Sequence, residues 1–145
     1  MLQKRGMHTV LDTNIVISAL LFRGKAAPLH KAIIEGNMFP YRCPSILEEY
    51  SRVLAYDKFG LTDGDIHYLL QNEILPFFHP WKEPSAVRQW ISEDPSDDKF
   101  INLAISVPNA LLISGDNHIL EQRDALPCTV YSLLEGIEAL EGKNV

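Results

Sequence analysis

Carboxylates stand at four separated places in this chain. Asp12 interrupts HTVLDTNIVISALLF (8–22), setting a carboxylate, a hydroxyl and an amide (Asp12, Thr13, Asn14) between two runs that read as buried. Glu48 and Glu49 lie in PSILEEYSRVL (44–54), Asp97 and Asp98 in EDPSDDKF (93–100), and Asp116 in LLISGDNHIL (111–120). Acids brought together repel, and no Lys or Arg adjoins Asp12 or Asp116 in sequence. A divalent cation is the physical remedy. Carboxylate, carbonyl and water oxygens suit Mg²⁺ or Mn²⁺, and Mg²⁺ keeps several waters. Such a centre activates a water and braces the leaving oxygen of a phosphodiester. Each acid also has a plainer use. Asp12 can cap a helix, Glu48 can close a capping box, Asp97 and Asp98 can favour a helix dipole, and Asp116 can serve a turn.

Other chemistries lack their residues. The five histidines (His8, His30, His67, His79, His118) show no HxxH or HExxH spacing, and there is no CxxC pair, Gly-rich phosphate loop or GxSxG elbow. Cys43 and Cys128 make no disulfide framework and read as plain buried thiols in strands. Trp81 and Trp90 read as packing residues. The net charge of −6 argues against binding nucleic acid by general basicity. Residues 1–45 nevertheless carry six cations (Lys4, Arg5, Arg23, Lys25, Lys31, Arg42) against Asp12 and Glu35. Arg23 and Lys25 are therefore candidates to touch phosphates.

The elements that must position these residues alternate. Strands are expected at His8–Leu11, Met38–Cys43, Ile74–His79, Ala110–Ser114 and Cys128–Tyr131. Helices are expected from Asn14 to Phe22, Ala26 to Glu35, Ser45 to Tyr56, Asp63 to Gln71, Asp97 to Val107, Asn117 to Gln122 and Ser132 to Leu140, with a helical turn within 84–92. Ser45 and Glu48 have capping-box spacing, Thr62 and Ser132 are further caps, and Gly36-Asn37 is a helix stop. ALLIS (110–114) is apolar on both faces, as in a parallel sheet covered by helices. The pattern predicts a three-layer α/β/α fold with a mainly parallel sheet, one domain over 1–145 with a frayed tail from about 141. No apolar run reaches the roughly 18 residues that span a bilayer, so the expected location is cytoplasmic with no membrane partner. In such a sheet ligands sit beyond the carboxyl ends of the strands, where Asp12 and Asp116 are expected to meet.

The order LDTNIVISALLFRG, PSILEEYSRVL, DPSDDKFINLA, LLISGDNHIL resembles the PIN-domain family, and more narrowly the VapC-like toxins of prokaryotic toxin–antitoxin pairs, over about Val10–Leu134. The resemblance implies an endoribonuclease that depends on Mg²⁺ or Mn²⁺. Carried over by position, it implies Asp12, Glu49, Asp98 and Asp116 as metal-binding acids, with Asn14 orienting Asp12 or a water. Thr13 and Ser114 would position acids or phosphate, and Asp94 and Asp97 would support Asp98. His118 stands where relatives often carry another Asp. An RNA substrate, a cognate antitoxin and a homodimer are the implied partners. Two other classes compete. A haloacid-dehalogenase-type phosphatase needs a second Asp where this chain has Asn14. A non-catalytic interaction module with a vestigial acidic pocket would show no response to Mn²⁺.

Overall fold

The computed structural model describes residues 6–85, 90 and 95–142. Five strands form one all-parallel sheet in the order β3-β2-β1-β4-β5. They are β1 (Met7–Leu11), β2 (Met38–Arg42), β3 (His79–Pro80), β4 (Leu111–Ile113) and β5 (Thr129–Tyr131). Helices flank the sheet: α1 (Thr13–Ile17), α2 (Ala27–Ile34), α3 (Pro44–Leu54), α4 (Asp63–Leu69), α5 (Asp98–Ser106), α6 (Asn117–Glu121) and α7 (Leu133–Leu140). This is the predicted α/β class. The chain builds outward from β1 through β2 to β3, then returns to place β4 on the other side of β1. The crevice where the order reverses, between β1 and β4, is the ligand position of open parallel sheets.

Burial sets the central strands. Val10, Leu11, Leu112 and Ile113 have no exposed surface, so β1 and β4 are covered on both faces. Their register pairs Val10 with Leu112 and Leu11 with Ile113, which brings the strand tips level. α1 continues into a wider π turn over Ser18–Phe22, closed by the Arg23 N–H on Ser18 O. Arg23 (φ 58°) and Gly24 (φ 36°) end it in the left-handed region, the turn that Gly24 forecasts. Gly36 at φ 79° ends α2, and the N–H groups of Gly36 and Asn37 return to Ile33 O and Ala32 O in a Schellman pattern.

Three expectations fail. The strand expected at Ile74–His79 shrinks to His79–Pro80. Leu70–Ile74 is a π turn, and the Phe77 and Phe78 N–H groups both bond to Ile74 O. Pro76, with no N–H to give a ladder, sits in that turn. Ser45 does not cap α3 either. Pro44 takes the first helical position, so the helix starts one residue early and the cap position falls on Cys43. The Glu83 carboxylate caps the helix instead, accepting from Ser45 N at 2.8 Å and Ser45 Oγ at 2.6 Å. Thr62 and Ser132 cap α4 and α7 in full capping boxes with Asp65 and Glu135. Neither cysteine lies in a strand. Cys43 is buried just past β2 and Cys128 half-buried just before β5, and burial raises both thiols above their ordinary range. The helical turn expected within 84–92 and the tail at 143–145 fall largely outside the described residues. Among the described residues no helix is long and apolar enough to cross a membrane.

α3 is the element that walls the crevice. Ile46, Tyr50 and Leu54, spaced four apart, form its wholly buried stripe. The Tyr50 hydroxyl donates to Leu11 O at 2.6 Å, pinning the middle of the helix to the tip of β1, and its ring meets Phe78 edge-on. Burial, together with the nearby Asp12 and Glu49 charges, pushes the phenol well above its ordinary range, so it stays a neutral donor. Tyr50→Phe is expected to lose about 1–3 kcal/mol of unfolding free energy, since the Leu11 carbonyl loses a buried donor. Urea unfolding checks this; an unchanged midpoint would show that the bond carries no weight.

Candidate functional site

Asp12 follows the last residue of β1 and caps α1. Its Oδ1 accepts from Ile15 N at 3.0 Å. Its Oδ2 accepts from Gly115 N at 3.2 Å and from Ser114 Oγ. Both donors of that second pair sit just past β4, because the register sets Leu11 beside Ile113. Ser114 in turn accepts from Asp116 N at 3.0 Å. One hydroxyl thus ties the two acids of the strand tips together. Asp116 caps α6, with Oδ1 accepting from the N–H groups of His118 and Ile119. His118 itself is exposed and does not line the cleft.

The opposite wall is α3 with the start of α5. Glu49 faces inward with 14% of its side chain exposed, while Glu48 is 65% exposed and pairs with Arg52. The capping box that would occupy Glu48 does not form, so the helical rotation between neighbours makes the distinction. Thr13 Oγ1 donates to Glu49 Oε2, and Lys99 Nζ lies 2.5 Å from Glu49 Oε1. A cleft of about 330 Å³ opens among these elements, lined by Asp12, Thr13, Asn14, Glu49, Asp97 and Asp116. Its outer rim adds Arg52, Tyr56, Lys58 and Phe59.

The expected residues divide as follows. Asp12, Thr13, Asn14, Glu49, Asp97 and Asp116 line the cleft, and Ser114 lies buried beneath it. Asn14 is not among the donors to Asp12; that task falls to Ile15, Ser114 and Gly115. Asp98 is 8% exposed, with Oδ1 accepting from Trp90 N, and Asp97 rather than Asp98 is on the cleft wall. Asp94 lies outside the described residues. Arg23 and Lys25 are exposed in the turn before α2 and do not line the cleft. The cations that line it are Arg52 and Lys58; Lys99 is not on the lining and meets the site through Glu49. Arg52 was legible as the residue three after Glu49 on one helix; Lys99 gave no signal, since it follows two acids and pairs with a residue fifty positions away.

Burial raises Asp12 above the ordinary carboxylate value of 3.8; the hydrogen bonds from Ser114, Ile15 and Gly115 oppose the shift, and the Asp116 charge adds to it. The oxygen-only donor set fits a hard divalent cation that keeps waters, as Mg²⁺ and Mn²⁺ do. Among the described residues no three of the acids close into a cage, so an ion here would rely on water or substrate oxygens for its remaining positions. A larger cavity of about 650 Å³ lies beside Met7, Asn37 and Leu140; its lining includes Glu35 but none of Asp12, Glu49, Asp97, Asp98 and Asp116.

The folded protein holds the Asp12 proton more tightly than the unfolded chain does. That contribution to stability is complete below the unfolded value and is lost as pH rises through the folded one. In EDTA, the melting temperature of Asp12→Asn relative to the parent is expected to climb as pH rises above the ordinary carboxylate value, because the parent alone must then ionise a buried acid. A flat difference across that range would mean that the carboxylate is not held above its ordinary value.

A family profile for the PIN domain matches residues 8–118. Among solved structures, the chain resembles that of the PIN domain endonuclease Utp24, with a TM-score of 0.54 at 13% identity, covering 86% of this chain and 84% of that one. At that identity the likeness speaks for the fold. No curated protein matches the sequence.

Proposed function

The chain belongs to the PIN-domain family, and we propose that it is a divalent-metal-dependent endoribonuclease, more narrowly the toxin of a VapC-like toxin–antitoxin pair. The observation that carries the reading is the acidic cleft at the β1–β4 crevice, where Asp12 and Asp116 are coupled through Ser114 and face Glu49 and Asp97. The likeness of fold to the PIN domain endonuclease Utp24 supports it. Asp12 and Asp116 would hold a Mg²⁺ or Mn²⁺ ion, with Asp97 or Asp98 and Glu49 reaching it through water. Bound there, the cation supplies the charge that lets a phosphodiester enter an acidic cleft and lowers the pKa of a water.

The chain's own groups do the positioning. Ser114, Gly115 and Ile15 fix the Asp12 carboxylate without mobile water, so it needs no reorganisation when substrate arrives. Thr13 fixes Glu49 in the same way. Asn14, exposed on the cleft, is free to orient a water or a phosphate oxygen. Arg52 and Lys58 on the rim would receive flanking phosphates, and Arg23 and Lys25 more distant ones. The toxin assignment rests on the order of the sequence motifs. It carries with it an antitoxin partner and a homodimer.

Purified protein should cut a mixed structured RNA with Mn²⁺ and not with EDTA, and Asp12→Asn should lower the rate at least about a hundredfold, as expected for a positioned catalytic group. Asp97→Asn and Asp98→Asn, measured beside it, identify which neighbour belongs to the centre: the one on the cleft wall or the one that the motif alignment selects. Equal cutting by Asp12→Asn and the parent would overturn the site. Growth arrest on induced expression in a bacterial host, absent with Asp12→Asn, is the expected sign of a toxin.

A further inference from the structure

Charge is divided unequally in the cleft. Among the described residues no ion pair reaches Asp12 or Asp116. Glu49 is in the opposite condition. Lys99 Nζ sits on Oε1 at 2.5 Å, Thr13 takes Oε2, and Arg52 Nη2 stands 3.8 Å away. Lys99 is itself held in place, donating to Ser96 O at 2.9 Å and lying 5.5 Å from the centre of the Phe100 ring. The Lys99 and Glu49 side chains are only 19% and 14% exposed, so solvent screens their attraction little. Arg52 is half exposed and its pull is weaker.

We propose that Lys99 is a positioning residue whose ammonium occupies the place at Glu49 that a second divalent cation would take, so that the cleft binds one such ion, on the Asp12–Asp116 side. The inference rests on the metal-dependent reading above and adds to it a count of ions and a residue that sets the count. Metal affinity follows ligand charge, and a fixed cation beside one carboxylate removes that charge from the ligand set. It also holds Glu49 at a defined distance from Thr13 without help from the metal. A nuclease arranged in this way keeps its α3 wall in shape before any ion arrives.

The test is Mn²⁺ binding without RNA, read by the electron paramagnetic resonance of free Mn²⁺ and by calorimetry. The proteins are the full chain, Lys99→Met, and Lys99→Met combined with Glu49→Gln. The parent is expected to take up one Mn²⁺. Lys99→Met, close in length and without charge, is expected to take up a second ion, or to bind the first at least about tenfold more tightly, because a unit positive charge close to a divalent ion has been removed. The double variant should return to the parental count and affinity, which assigns the gain to Glu49. A gain that Glu49→Gln removes is not the diffuse uptake that a misfolded acidic chain would show. Parental binding by Lys99→Met, or weaker binding, would overturn the role given to Lys99 and leave the metal-dependent reading standing. No Mn²⁺ uptake by any of the three would overturn both.

Discussion

A buried carboxylate at the end of the central strand is the constraint around which this molecule is arranged. Taking an ionised acid out of water is costly unless donors replace the water. Asp12 has three such donors, from Ile15, Ser114 and Gly115. Each fixes something larger. The Ile15 bond starts α1, and the Ser114 and Gly115 bonds hold the tip of β4 level with the tip of β1. Because Ser114 also receives the Asp116 N–H, the spacing of the two strand-tip acids is set by one hydroxyl with both roles filled. The opening of the crevice is therefore determined by the same contacts that make burial of the acid tolerable.

The second wall depends on the first through the backbone. Tyr50 bonds Leu11 O, the carbonyl immediately before Asp12, so α3 is registered to the strand tip and not merely packed against it. One residue earlier on the helix, Glu49 meets Thr13, the residue immediately after Asp12. Two side chains adjacent on α3 thus grip the two neighbours of the buried acid. Lys99 then draws α5 to Glu49, closing the third side. Loss of any one of these contacts would be felt at Asp12 as a change of shape and not only as a loss of stability.

The sequence carried the parts of this that depend on local pattern. β1 and ALLIS were readable because strands buried on both faces have no polar alternation, and the caps at Thr62 and Ser132 because a capping box is complete within four residues. Position at strand ends put Asp12 and Asp116 on one rim, and the pairing of β1 with β4 then brings them to one crevice. What stayed hidden needed partners far along the chain. Glu83 displaces Ser45 as the cap of α3 from thirty-eight residues away. Ile74–Phe78 is apolar enough for a strand, and Pro76 as a non-donor was the warning that pattern alone underweights. Asp97 and Asp98 differ by one helical step, about 100° of rotation, and only packing decides which reaches the cleft wall.

The repulsion that sequence reasoning attributed to the acids is thus met in two different ways within one cleft. On the α3 side, cations from the chain itself answer it, from Lys99 at Glu49 and from Arg52 behind it. On the strand-tip side, only hydrogen-bond donors do, and they are not enough: Asp12 remains above its ordinary pKa despite three of them, with burial as the first cause. A carboxylate left under-compensated in this way favours any added positive charge over none. Glu49, already answered by Lys99, gains less from one. On the proposed reading, an incoming cation goes to Asp12 and Asp116, beside the exposed Asn14, and the cationic and aromatic rim of Arg52, Lys58, Tyr56 and Phe59 meets a polyanion from the other side. The scissile phosphate would then lie between a wall that needs charge and a rim that supplies it.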